Sequence, residues 1–153
     1  MYDKTVFKIK KFIPLSVSKK LPGEIKVVFL SPQESRKLNF IYRGKNRPTN
    51  VLSFFYPHTK RGLRQKRGKQ PYPRYGVGVY SPDYGEILIC KDVVKKEAKL
   101  AGNTQLFQMT WMIAHGILHL AGVHHEKSVA TAKRFSRLEK QILGNMFKEI
   151  GDQ

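Results

Sequence analysis

A single cysteine, Cys90, has nothing within the chain to pair with, so no internal disulfide framework holds this protein together. A chain that does without disulfides suits a reducing compartment, and with its basic composition this one points to the cytoplasm. Long apolar runs are missing too. The opening residues MYDKTVFKIKKFIPL hold no apolar stretch long enough for a signal peptide. No segment approaches the roughly 18 apolar residues of a membrane span. The expectation is a soluble protein that stays where it is made. Acidic residues are the third scarcity. Asp and Glu number 11 against 29 Lys and Arg, giving a formal charge of +18. That excess goes beyond what solubility asks for and suits a polyanionic partner. No amphipathic, aromatic-tipped basic helix stands out to favour an acidic membrane, so nucleic acid is the expected partner.

Apolar residues still make up 41% of the 153 positions, enough to bury one core, so residues 1–153 are expected to form a single domain. Thr5 to Phe12 alternates apolar and basic residues (Val6, Phe7, Ile9, Phe12) and reads as a half-exposed strand. IKVVFL (Ile25 to Leu30), NVLSFFY (Asn50 to Tyr56) and GEILIC (Gly85 to Cys90) read as three further strands. The connection from Phe12 to Ile25 is short for a full helix. SPQE marks a helix start, with Ser31 as N-cap, Pro32 at the first helical position and Glu34 closing a capping box; Leu38, Ile41 and Tyr42 follow at helical spacing. Asp92 is expected to cap a helix that stops at Gly102-Asn103. Another should begin near Thr104 and be apolar on most sides, from Leu106 to Leu120, as a buried central helix is. Ser128 can cap a last one, with Phe135, Leu138, Ile142 and Met146 near one face. The fold class implied is α+β: a small mixed sheet of about four strands covered by helices, strands mostly first and helices mostly later.

Residues 57–84 interrupt this pattern. From Lys60 to Arg74 there are seven Lys or Arg and no acid, broken by glycine and proline, as in a mobile basic insertion. Lys60, Arg61, Arg64, Lys66 and Arg67 are candidate phosphate-gripping residues, with Tyr72 and Tyr75 available for base stacking. A solvated insertion without function is the plainer reading, as it is for His58.

The most specific chemistry lies in HGILHLAGVHH, residues 115–125. His115 and His119 sit at i and i+4, on one helix face and close enough to share a metal ion. Gly122 can take the left-handed conformation that ends a helix and bring a third imidazole back. Spacing leaves that third residue open between His124 and His125, with a mild preference for His125. Three imidazoles with a fourth position free describe a catalytic zinc site rather than a closed structural one. The spacing matches that of metzincin proteases, but the glutamate they carry directly after the first histidine is Gly116 here, which argues against peptide hydrolysis.

Three segments resemble one family, the YbeY-type metalloproteins, bacterial endoribonucleases or rRNA maturation factors. HGILHLAGVHH is similar to the family's H-G-x-L-H-L-x-G-Y-D-H signature. LNFIYRGKNRPTNVLSF is similar to L-N-x-x-Y-R-G-K-x-x-P-T-[DN]-V-L-S-F, and GEILICKDVVKKEA to G-D-[IL]-x-I-C-x-x-V-x-x-E-A. The resemblance implies one Zn²⁺ per chain, held by His115, His119 and His125. It also implies a part in activity or substrate binding for Arg43, whose guanidinium could steady the extra charge of a phosphorane-like transition state. The plain structural role for Arg43 is a fork onto backbone carbonyls or an acid across the fold. Asn50 and Ser53 are expected to hold the strand beside the site.

This chain departs from the family in having Val123-His124 where it has Tyr-Asp, and Phe55 where proline is usual. The function expected is a zinc-dependent, single-strand endoribonuclease in rRNA maturation (16S 3′ end processing) and ribosome quality control. Its partners would be rRNA and the small ribosomal subunit or its proteins. The alternative is a non-catalytic, zinc-containing ribosome-assembly factor; a metal hydrolase acting on a small molecule or peptide ranks behind both.

Overall fold

The computed structural model describes residues 2–56 and 84–151. Most of the expected basic insertion, with Lys60, Arg61, Arg64, Lys66, Arg67, His58, Tyr72 and Tyr75, lies outside them. The elements run α1 (Tyr2–Phe12), α2 (Leu15–Ser18), β1 (Glu24–Leu30), α3 (Pro32–Arg43), β2 (Val51–Tyr56), β3 (Tyr84–Cys90), α4 (Lys91–Ala101), α5 (Gln105–Leu120) and α6 (Val129–Gly151). The architecture is α+β, with a mixed sheet whose order is β1-β3-β2. β1 pairs with β3 in parallel, and β2 pairs with it antiparallel.

Two expectations about elements are corrected. Thr5 to Phe12 is part of a helix, not a strand, so the sheet has three strands among the described residues and a helix opens the chain. The deciding spacing is Val6, Ile9 and Ile13, all buried, at intervals of three and four, while Phe7 is exposed. Over a short window that stripe imitates alternation. Asp92 does not cap α4, whose N-cap is Cys90 with no side-chain bond. Asp92 lies within the first turn, where a carboxylate still meets the positive end of the helix dipole. The capping box of α3 forms as read: Ser31 Oγ accepts from the Glu34 amide at 3.2 Å, and Glu34 Oε2 accepts from the Ser31 amide at 2.8 Å. Gly102, in the left-handed region at φ 68°, ends α4.

β3 is buried along its whole length because both faces are covered. Ile87 and Ile89 meet α5 in the main core, which also holds Val6, Ile9, Ile113, Ile117, Phe135 and Ile142. Tyr84 and Leu88 face the other way, toward Leu38 of α3 and Leu52, Phe54 and Tyr56 of β2. Glu86 is the charged exception, fully buried, and accepts hydrogen bonds at 3.2 Å from the hydroxyls of Tyr56 and Tyr84.

The seating of α5 on β3 orients the site. Gly116 faces the sheet: a Cβ there would stand 2.8 Å from Ile87 Cγ2 and 3.1 Å from its Cγ1. A side chain at the position after His115, where metzincins carry glutamate, would force Ile87 or the helix to shift. Gly116→Ala should lose about 1–3 kcal/mol to overpacking, less up to about 1 kcal/mol regained in helix propensity. Urea denaturation checks this, with Gly144→Ala as the contrast. Gly144 lies in α6 with nothing within 4 Å of an added Cβ, so that change should stabilise.

Candidate metal centre

α5 begins at Thr104, whose hydroxyl accepts from the Phe107 amide at 3.1 Å. It ends in a Schellman turn. Gly122, at φ 76°, donates its N–H to the His119 carbonyl at 2.9 Å, and Val123 donates to the Leu118 carbonyl at 3.0 Å. Val123 is buried as this turn closes, so the chain reverses and carries residues 124 and 125 back over the end of the helix. His115, His119 and His125 come together, each with a nitrogen within 4.8 Å of the others. His124, the other candidate for third place, stands outside this group and beside His119, their Nδ1 atoms 3.2 Å apart.

The remaining nitrogens explain how the group is aimed. His115 Nδ1 lies 2.7 Å from Glu139 Oε1, where an N–H on Nδ1 meets the carboxylate and leaves Nε2 as the nitrogen turned toward the group. At His119, Nδ1 pairs with His124, which leaves Nε2 turned toward His115. The two Nε2 atoms then face each other 3.1 Å apart. A shared proton or a metal ion between them satisfies such a pair. Nitrogens bound tetrahedrally at about 2.0–2.1 Å stand roughly 3.3 Å apart, close to what these side chains present. The donor set fits a metal ion of imidazole preference, zinc among them. Burial first, then the charges of His115, His125, His124 and Arg43, push His119 down to about 3, so it is held in the neutral form that ligation requires.

Sequence reasoning missed three parts of this site. Phe135 of α6 lies under all three imidazoles, with ring centroids 4.8, 5.1 and 4.9 Å from those of His115, His119 and His125. Glu139, one turn further and buried, is the carboxylate on His115. Its signal was its place four residues after Phe135, inside an apolar stripe where a charge needs a partner. Glu126, mostly exposed, reaches the cavity wall with its Oε1 4.0 Å from His125 Nε2.

A cavity of about 440 Å³ opens beside the histidines, lined by Arg43, Ser53, Phe55, His119, Leu120, Gly122, His124 and Glu126. Arg43 ends α3, and Gly44 turns the chain at φ 69° behind it. Its charge is felt at His119. Ser53 is half-buried in the cavity wall. Asn50 stands back from it and holds the start of β2: its amide donates to the Glu97 carboxylate at 3.0 and 3.2 Å, while its Oδ1 accepts from the Val51 amide at 2.7 Å.

Two outcomes are expected. Glu139→Gln should weaken Zn²⁺ or Co²⁺ binding by about 10- to 100-fold, since the ring keeps an acceptor but loses the charge behind it; competition with a chromophoric chelator measures this. His119 titrates at 6.5 when unfolded and near 3 when folded, so between these values the unfolded state binds the extra proton. Metal-free protein should therefore lose stability as pH falls from 6.5 toward 3, and His119→Gln should lose less. Urea stability against pH for both proteins checks the difference.

Known proteins are similar to this chain. A family model described as endoribonuclease YbeY matches residues 2–147. A protein named endoribonuclease YbeY from Chelativorans sp. is 35% identical over 133 residues, covering 86% of this chain and 70% of that one. Its namesake from Thermodesulfovibrio yellowstonii is 33% identical over 139 residues, covering 91% and 77%. A Thermotoga maritima protein solved in solution is similar with a TM-score of 0.52 and 25% identity, over 99% of this chain and 89% of its own. With a match across nearly its whole length, and with paired histidines on a buried helix, the chain belongs to the YbeY family.

Proposed function

We propose that this protein is a metal-dependent endoribonuclease that cuts single-stranded RNA, with zinc as its ion, one per chain. The observation that supports this best is the cavity whose lining brings Arg43 together with His119, a member of the three-histidine group. The relatives' names point the same way. In this reading the RNA is rRNA, the setting is 16S 3′ end maturation and ribosome quality control in the cytoplasm, and the small ribosomal subunit or its proteins are the partners.

His115, His119 and His125 would hold the ion, which when bound supplies Lewis acidity toward a phosphoryl oxygen and toward water. The protein's own groups do the rest. Arg43 offers a planar pair of donors to the phosphate and offsets the charge that builds on its oxygens. Glu139 keeps the His115 proton on Nδ1, so the ring cannot turn away. Glu126 places a carboxylate on the cavity wall, able to accept a proton there. Glu126 follows directly on His125 in the sequence, and its place on the cavity wall favours catalysis over the alternative of a non-catalytic assembly factor. The charge of +18 supplies affinity along the backbone. No helix among the described residues is long and apolar enough to cross a membrane.

A defined single-stranded rRNA fragment, incubated with purified protein with and without a chelator, tests this directly, with His119→Ala prepared identically to expose contaminating nuclease. Cleavage should need both the metal and His119, and Arg43→Ala should reduce it by at least about tenfold. Binding with metal present but no cleavage would instead favour an assembly factor. RNA affinity resting on six to ten ionic contacts should fall by roughly 10³ to 10⁵ between 50 and 200 mM salt.

A further inference from the structure

β2 runs out of the core and into the cavity. Its side chains alternate between the two faces of the sheet. Leu52, Phe54 and Tyr56 pack beneath α3, where Phe54 meets Tyr42 edge-on with centroids 4.9 Å apart. The other set starts at Val51, buried in the main core, passes through half-buried Ser53 and ends at Phe55, which is 42% exposed. Of two adjacent phenylalanines, one serves the core and its neighbour opens onto the cavity with Arg43, Ser53 and His119. Directly across the sheet from Phe55 is Gly85, which has no side chain for the ring to pack on. Arg43 and Phe55 thus offer a cation and an aromatic face within one cavity.

We propose that Phe55 is a stacking platform for an unpaired nucleobase of the RNA, beside the phosphate that Arg43 would hold; this rests on the ribonuclease reading above. Every base has a π-face, so the platform tolerates sequence, but a base inside a duplex has both faces covered by its neighbours. Phe55 therefore selects for single strands at the site. Stacking of this kind is worth about 1–3 kcal/mol per base, or roughly 5- to 150-fold in affinity. The competing role is structural, the ring covering Gly85 as aromatic residues often cover a cross-strand glycine.

Binding of a short labelled single-stranded RNA to the full chain, in chelator so that cleavage does not intervene, separates these roles. An abasic position is walked through the oligonucleotide in parallel. Phe55→Ala and Phe55→Leu should weaken binding by roughly 5- to 150-fold, while Phe55→Tyr and Phe55→Trp should keep it. One abasic position should weaken the wild type to a similar degree and leave Phe55→Ala unaffected. The fluorescence of the Phe55→Trp protein should be quenched by the intact strand and not by that abasic one. If Phe55→Ala loses folding stability but binds within twofold of wild type, or loses affinity equally for intact and abasic strands, the platform is wrong and the ring serves the sheet. If the wild type binds no single-stranded RNA at all, the ribonuclease reading itself falls, and the platform with it.

Discussion

The contact of Gly116 with Ile87 is what the site depends on. With no side chain at 116, α5 sits directly on the central strand, and the helix cannot roll or rise without opening a gap in the main core. A helix fixed in rotation has its other faces fixed too. His115, one position away, and His119, one turn on, are held pointing off the sheet toward α6 and the returning loop. Rigid packing of this kind places ligand atoms more closely than a loop can.

Around His119 the fold builds an environment that favours a neutral imidazole. Phe135 closes the underside with an apolar ring, and burial together with neighbouring positive groups disfavours a proton on His119. Glu139 answers on the far side of His115, so the ring is aimed by a charged hydrogen bond rather than by its own rotamer preference. The same logic bears on the family's Tyr-Asp, which is Val123-His124 here. Val123 is buried as the Schellman turn closes, and His124 pairs with His119 through their Nδ1 atoms. One histidine of the helix pair is thus backed by a carboxylate and the other by an imidazole.

Features that depend on neighbours a few residues apart could be read directly. The capping box at Ser31 and Glu34, the start of α5 at Thr104, the helix-ending glycines at 102 and 122 and the pairing of His115 with His119 all follow from local geometry. Errors came where local signals compete. A basic stripe over Thr5 to Phe12 fits a strand or a helix almost equally, and burial of Val6, Ile9 and Ile13 against α5, α6 and β1 decides for the helix. Asp92 is a good cap by composition, but β3 carries straight into α4, so the backbone of Cys90 occupies that place.

By itself, then, the sequence determined an α+β domain rich in positive charge, a helix bearing two histidines one turn apart, and a glycine turn returning a third. These rest on contacts within a few residues, where spacing and backbone preference suffice. Tertiary structure decided that His125 rather than His124 joins the group, that Glu139 and Phe135 from α6 complete it, and that Arg43, Phe55 and Glu126 share its cavity. Each of these depends on how α3, β2 and α6 pack around α5. Chain separation gives no hint of such a meeting, because the distance between two side chains there is set by the shape of the core between them.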